Sequence, residues 1–191
     1  ACMNSTIYLI IGRYGAGKNT LIDTFCDKYG YSKLCSYTTR QPSESDEANR
    51  HTYTDIEQYL TDVDNDDVLA YTKLMGDYYW STFDQIENAD FYIIDRAGLD
   101  NFKRNYTGSK KYTTIYIQTD KITCLNRLVH KCEDISIDTM KNILSKNEIN
   151  GTKYIDEQLV SLCDFTIDNN GGIKESIAKL KEIVDKTNTE G

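Results

Sequence analysis

Short apolar runs alternate with amphipathic stretches along most of the chain. The apolar runs at residues 6–11, 91–95, 113–118 and 163–168 predict buried β-strands. Helical spacing predicts helices at residues 20–29, 99–106, 121–131 and 173–185; in the first of these, Leu21, Ile22 and Phe25 share one face. Strands that alternate with helices favour an α/β fold, with a mostly parallel central sheet covered on both sides.

Two segments interrupt this alternation. Residues 36–82 are polar and rich in tyrosine, and Gly76-Asp77 indicates a hairpin turn within them. We interpret them as an inserted subdomain of a single-domain protein whose core comprises residues 3–35 and 83–191. Residues 131–141 contain few large apolar side chains, which predicts a short lid.

Composition narrows the classes of function. The chain has 191 residues and a formal net charge of −8, with a pI near 4.8, which argues against nucleic-acid or acidic-membrane partners. An acidic protein can still bind a phosphate through a local pocket, and so we expect small-molecule partners. No apolar run approaches the roughly 20 residues needed to span a bilayer. The scattered cysteines lack paired zinc spacing and suggest reduced thiols in a cytoplasmic protein.

The clearest motif is a glycine-rich segment between the first predicted strand and helix. Its spacing, GxxGxGK, is that of a phosphate-binding P-loop in the required strand-to-helix context. Glycines let successive amides point at phosphate oxygens, and Lys18 would neutralise the β- and γ-phosphates during transfer. The residues expected to contact ATP here are Gly12, Arg13, Tyr14, Gly15, Ala16, Gly17, Lys18, Asn19 and Thr20.

One position departs from the P-loop pattern. A serine or threonine hydroxyl normally follows the lysine and ligates Mg²⁺, but this chain has Asn19. An amide oxygen can also ligate a hard cation. Either Asn19 takes this role or the use of metal is weakened.

Three further motifs carry a family resemblance. The sequence reads SYTTRQP from Ser36, GDYYWST from Gly76, and IID at residues 93–95 followed by Gly98. Together with the P-loop, and in this order and spacing over residues 7–170, they resemble the guanylate kinase family.

The resemblance implies roles for individual residues. It implies that Ser36, Arg40, Tyr53 and Tyr79 hold the phosphate of an acceptor monophosphate, since a guanidinium and tyrosine hydroxyls are suitable donors. The resemblance also implies that Ser81 lies at the acceptor base and that Asp95 serves the acceptor or a metal-bound water. It implies that Asn169 lies near adenine. Finally, it implies that Arg127 acts in catalysis with Lys18 and Arg40.

The chain also departs from the family pattern. Ser43 stands where the family has a second phosphate-binding arginine, and nearby Arg50 is a candidate substitute. Ala70 stands where the family reads guanine with a glutamate, and Trp80 replaces a glycine, where it would crowd the base or stack on it. Lysines replace lid arginines at Lys131, Lys141 and Lys146.

Three functions remain open at this stage. The first is an ATP-dependent kinase of a nucleoside monophosphate, with GMP as the expected acceptor and ATP and Mg²⁺ as cofactors. The second is a kinase of another phosphorylated small molecule such as ribose 1,5-bisphosphate, whose enzyme resembles this chain at Asp95-Arg96-Ala97-Gly98. The third is a scaffold that lost catalysis, although such scaffolds have generally lost the P-loop lysine and Lys18 is intact.

Overall fold

The computed structural model describes residues 5–43, 50–131 and 153–189. The strands among them are β1 Thr6–Gly12, β2 Tyr37–Thr38, β3 Thr52–Tyr53, β4 Val68–Leu74, β5 Asp77–Thr82, β6 Phe91–Ile93, β7 Lys111–Gln118 and β8 Phe165–Asp168. The helices are α1 Lys18–Tyr29, α2 Ile56–Asp64, α3 Phe83–Glu87, α4 Arg96–Asn105, α5 Lys121–Lys131, α6 Lys153–Leu162 and α7 Ile173–Thr189.

The first sheet is parallel, with strand order β6-β1-β7-β8. Strand β1 lies inside it, pairing with β6 at Leu9–Tyr92 and with β7 at Leu9–Thr114. The four strands predicted from apolar runs are the four strands of this sheet. The prediction of an α/β fold with a mostly parallel central sheet is therefore confirmed.

Helices cover this sheet on both sides because β1 is apolar on both faces. Tyr8 and Ile10 point to one side, where Phe25 of α1 and Leu180 of α7 are buried in the same cluster. Successive residues of a strand point to opposite sides. Ile7, Leu9 and Ile11 accordingly join the second cluster, whose other members include Leu99 and Phe102 of α4 and Ile86 of α3.

A second sheet is formed between Tyr37 and Thr82, with strand order β3-β2-β5-β4. β4 and β5 form the predicted hairpin, which turns at Met75 and Gly76, both with positive φ. Helices α2, α3 and α6 were not predicted. The predicted lid begins at Lys131, and the rest of it lies outside the described residues. Lys141 and Lys146 lie outside them as well.

The hairpin presents two different faces. Ala70 pairs with Ser81, and Thr72 with Tyr79, so these four side chains share one face, which we call the inner face. The inner face turns toward the first sheet, because Ala70 belongs to the second core cluster and Thr72 contacts Asp95 after β6. The acceptor residues predicted on β5 therefore point toward the carboxyl end of the central sheet.

Two further observations concern the described part of the chain. None of its helices combines the length and the apolar character required to cross a membrane. Cys26, Cys35, Cys124 and Cys163 are free cysteines.

Candidate active site

The P-loop connects the end of β1 to the start of α1, as predicted. Gly15 and Gly17 have φ of 82° and 88°, in the left-handed region that favours glycine. A Cβ on Gly17 would lie 2.7 Å from Asn169 Nδ2, so the loop is closely packed from behind. No side chain caps α1 at Gly17, which leaves the first amides of the helix available to an anion.

Lys18 folds back over the loop that precedes it. Its Nζ donates to Gly12 O at 2.8 Å and to Arg13 O at 2.7 Å. Burial lowers the pKa of this lysine to about 8, and the Arg50 guanidinium contributes to the same shift. The ammonium is thus held within the loop that would receive the phosphates.

One backbone carbonyl oxygen of the P-loop, Ala16 O, accepts three hydrogen bonds from other parts of the chain. It accepts hydrogen bonds from Thr119 Oγ1 at 3.1 Å, Arg127 Nη1 at 3.1 Å and Asn169 Nδ2 at 2.7 Å. Ser176 Oγ donates to Asn169 Oδ1 at 2.6 Å and fixes the orientation of that amide. Arg127 therefore has a positioning contact here, while its predicted catalytic role stays a prediction.

The predicted acceptor-phosphate residues lie together, and His51 lies among them. Arg40 Nη2 donates to Tyr53 OH at 3.2 Å. Ser36 Oγ is 3.0 Å from His51 Nδ1, and the His51 ring packs edge-on against Tyr79 with centroids 5.4 Å apart. Sequence reasoning missed His51, because an isolated histidine 15 residues from Ser36 carries no motif signal.

Ser81 and Ala70 form the deepest part of the inner face. Ala70 is 1% exposed and Ser81 is fully buried. Among the described residues, Ser81 Oγ is a buried side-chain atom without a hydrogen-bond partner that meets the distance and angle limits, and the Tyr92 phenol is the polar group nearest to interacting with it. Burial raises the pKa of Tyr92 to about 12, so its phenol stays neutral.

The expectation that Trp80 crowds or stacks on the acceptor base is wrong. Trp80 alternates with Tyr79 and Ser81 and therefore points to the opposite face of the hairpin. There its Nε1 donates to Asp62 Oδ2 at 2.8 Å, and its ring stacks on Tyr37. The tryptophan at this position therefore packs against α2, on the side of the hairpin away from the inner face.

Asp95 follows β6 and caps α4. Its Oδ1 accepts from Gly98 N at 2.7 Å, and Thr72 Oγ1 lies 3.3 Å from each carboxylate oxygen. A carboxylate oxygen can accept more than one hydrogen bond, so Asp95 retains capacity for a water on a metal ion. Sequence reasoning did not identify Thr72 as its partner.

Asn19, the second predicted metal ligand, already contacts a cation. Lys33 Nζ lies 3.4 Å from Asn19 Oδ1 and 2.6 Å from Asp23 Oδ1. An ammonium has only donors, so the amide atom facing it must be the oxygen. In residues 5–43, 50–131 and 153–189, no group of three or more His, Cys, Asp or Glu side chains forms a metal site. The side chains named for Mg²⁺ that offer an oxygen are Asn19, whose amide oxygen faces Lys33, and Asp95, and both oxygens are of a type that this ion accepts.

Comparison with known proteins agrees with the resemblance seen in the motifs. The guanylate kinase family model matches residues 4–187. A guanylate kinase of Campylobacter jejuni is 26% identical over 196 residues, covering 95% of this chain and 89% of that protein. A guanylate kinase of Clostridium acetobutylicum is 28% identical over 107 residues, and this chain spans only about half of its length, 51%.

The fold also matches a solved structure. The crystal structure of guanylate kinase from Anaplasma phagocytophilum superposes with a TM-score of 0.60 at 14% identity, covering 97% of this chain and 87% of that one. At this identity the match supports the fold alone. Because the family model spans nearly the whole sequence, this chain belongs to the guanylate kinase family.

Proposed function

We propose that the protein is an ATP-dependent kinase of a nucleoside monophosphate, with GMP as its expected acceptor. One observation carries this proposal: the P-loop lysine is intact, and the second sheet holds a cluster of side chains suited to binding a phosphate. That cluster consists of Ser36, Arg40, His51, Tyr53 and Tyr79. Arg50 links the two: it directly precedes His51 of that cluster, and its charge contributes to the lowered pKa of Lys18. Donor and acceptor phosphates would therefore meet between Lys18 and the inserted sheet.

Phosphoryl transfer requires mainly positioning and charge neutralisation from the protein. A phosphate oxygen of the acceptor attacks the γ-phosphorus of ATP, the bond to the β,γ-bridging oxygen breaks, and ADP leaves. Lys18 would neutralise charge on the transferred group, and Arg40 would hold the acceptor phosphate as a forked donor. Arg127 and Asn169 would keep the P-loop in place through their hydrogen bonds to Ala16 O. Asn169 would also lie beside the adenine.

Mg²⁺, when bound with ATP, would neutralise charge on the nucleotide phosphates. Asp95, through a water, and Asn19, through its amide oxygen, are the side chains proposed to hold it. Lys33 competes for the Asn19 oxygen, so we expect the metal to depend more on the phosphates than on this side chain.

A second candidate function rests on Ala70. The inner face has no carboxylate opposite Ser81 to read guanine, since the methyl group of Ala70 occupies that position. This favours an acceptor recognised by its phosphate more than by its base, such as ribose 1,5-bisphosphate.

The direct test is coupled turnover of ATP against a panel of GMP, dGMP, AMP, IMP and ribose 1,5-bisphosphate. Turnover that requires GMP and disappears in Lys18→Ala would support the proposal. Turnover with the sugar phosphate alone would assign the second candidate. ATP binding without acceptor-dependent turnover would contradict both and indicate a nucleotide-binding scaffold.

A further inference from the structure

His51 lies among the four side chains proposed to hold the acceptor phosphate. Besides its 3.0 Å contact with Ser36 Oγ, its ring packs edge-on against Tyr53 with centroids 6.4 Å apart and against Tyr79 at 5.4 Å. The Arg40 guanidinium lies over the Tyr53 ring, 5.4 Å from its centroid. An imidazole is therefore held where a phosphate group is proposed to bind.

The backbone explains this placement. Strands β2 and β3 pair in parallel, with Tyr37 opposite Thr52 and Thr38 opposite Tyr53, and Thr52 N donates to Ser36 O at 2.9 Å. Ser36 and His51 each precede their strand by one residue, so they become neighbours at its start. Because β5 pairs with the other side of β2, Tyr79 reaches the same face.

The charged and titratable groups around His51 favour an anion. Arg40 and Arg50 contribute positive charge, and the Tyr53 and Tyr79 phenols are hydrogen-bond donors. The carboxylate on β5, Asp77, accepts a hydrogen bond from Thr39 Oγ1 at 3.1 Å. A phosphate dianion placed among these groups favours the protonated form of an adjacent imidazole.

We propose that His51 is a further ligand of the acceptor phosphate, and that it takes up a proton when a phosphate monoester binds. This inference rests on the proposed function. With Arg40 it would supply two positive charges against the two negative charges of the monoester. The corresponding inner phosphate of a product diphosphate carries one negative charge, so it would hold the imidazolium less strongly. The proton would then leave as the product departs.

Calorimetric titration with GMP in buffers of different ionisation enthalpy measures this proton directly. At pH 7.5 we expect uptake of a measurable fraction of a proton per GMP bound, because the bound phosphate dianion favours the charged form of the adjacent imidazole. His51→Gln should abolish the uptake and weaken GMP binding about tenfold or more at pH 6.5, the range of a charge-assisted hydrogen bond. The difference in affinity between the two proteins should shrink as the pH is raised, because the proton to be taken up becomes scarcer.

The control is His130→Gln, which removes an exposed histidine of α5 and should leave the proton uptake unchanged. Zero uptake by the unmodified protein, or uptake retained in His51→Gln, would overturn the inference while leaving the proposed function intact. Failure of GMP, AMP and ribose 5-phosphate all to bind would overturn the inference together with the proposed acceptor site. Thermal melts of both variants exclude unfolding as the cause of a lost signal.

Discussion

Arg127 Nη2 donates to the carbonyl oxygen of Asn169 across 2.6 Å, which joins α5 to the loop between β8 and α7. Because Arg127 also donates to Ala16 O, one planar guanidinium holds two separate loops. A lysine ammonium has a different geometry and cannot reproduce this fork. The relationship gives a test of what Arg127 does in the proposed kinase.

We expect Arg127→Ala to raise the KM for ATP and to lower the free energy of unfolding by about 1–3 kcal/mol, since Asn169 O loses its donor. Arg127→Lys should resemble Arg127→Ala if positioning of the P-loop is the main role. Steady-state kinetics and thermal melts compare the three proteins. A lysine variant with nearly unmodified kcat and KM would instead support the catalytic role predicted from the sequence, in which charge matters more than shape.

The contact between Lys33 and Asn19 predicts a weakened metal site. Removing the ammonium with Lys33→Met should tighten Mn²⁺ binding to the protein–ATP complex by about two- to fivefold, the range of a partly exposed charge interaction. Paramagnetic relaxation of water protons measures this binding without turnover. The effect should vanish in the Asn19→Ala background, because there is then no amide oxygen to release.

Asn19→Ser completes this comparison. A serine hydroxyl is the usual ligand at this position and is too short to share the Lys33 contact, so metal binding should equal or exceed that of the unmodified protein. The unmodified protein is compared with Lys33→Met, Asn19→Ala, the double variant and Asn19→Ser. Equal Mn²⁺ affinity of all five proteins would show that residue 19 does not ligate the metal.

The lowered pKa of Lys18 predicts how nucleotide binding depends on pH. The folded pKa of about 8 lies below the ordinary lysine value of about 10.4, so the folded protein loses this proton first. ATP affinity should therefore fall above pH 8, because the neutral amine no longer pairs with the phosphates. Between pH 8 and about 10.4 the unfolded chain binds more protons, so this group's contribution to stability rises with pH.

Lys18→Ala should weaken ATP binding at pH 7 by at least about tenfold and should show no such step near pH 8. Nucleotide titrations from pH 6.5 to 9.5, paired with thermal melts at each pH, separate binding from unfolding. Unchanged ATP affinity in a folded Lys18→Ala protein would refute the P-loop assignment.

Local patterns were sufficient to predict the parallel sheet and the P-loop. The apolar runs of β1 and β7 are buried on both faces, and Gly15 and Gly17, which have positive φ, lie within one short contiguous motif. Helix α2 was missed although Ile56, Leu60 and Val63 have helical spacing, because its segment was interpreted as polar and hairpin-like; in the structure these three side chains remain 42–53% exposed. Its buried residue is Asp62, the acceptor for Trp80, so α2 has no buried apolar stripe.

Several site contacts that were not predicted join residues distant in sequence. Ser36 meets His51, and Lys33 meets Asn19 14 residues away. Thr72 reaches Asp95 across 23 residues. Such pairs follow from strand pairing and sheet packing, which composition and periodicity do not specify.

The last prediction concerns selectivity for the acceptor, where Ala70 lies opposite Ser81. Ala70 cannot accept a hydrogen bond from guanine with its side chain, and an unmet buried polar group costs about 1–3 kcal/mol. We therefore expect weaker and less exclusive use of GMP than in a guanylate kinase that carries a glutamate at this position.

Ser81→Ala removes a buried hydroxyl that has no partner among the described residues, so it should not destabilise the protein. If that hydroxyl meets the acceptor base, kcat/KM for the preferred acceptor should fall about tenfold.

Ala70→Glu tests the same position from the opposite direction. Ala70 lies in an apolar cluster, so a carboxylate there should lower the Tm of the free protein, because a buried charge without a partner is costly. GMP offers that carboxylate two N–H donors, so GMP should raise the Tm of Ala70→Glu more than that of the unmodified protein. The measurements are melts with and without GMP, alongside kcat/KM for GMP, dGMP, AMP, IMP and ribose 1,5-bisphosphate. Strong GMP selectivity in the unmodified protein, left unimproved by Ala70→Glu, would contradict the argument, because guanine would then be recognised by groups other than residue 70.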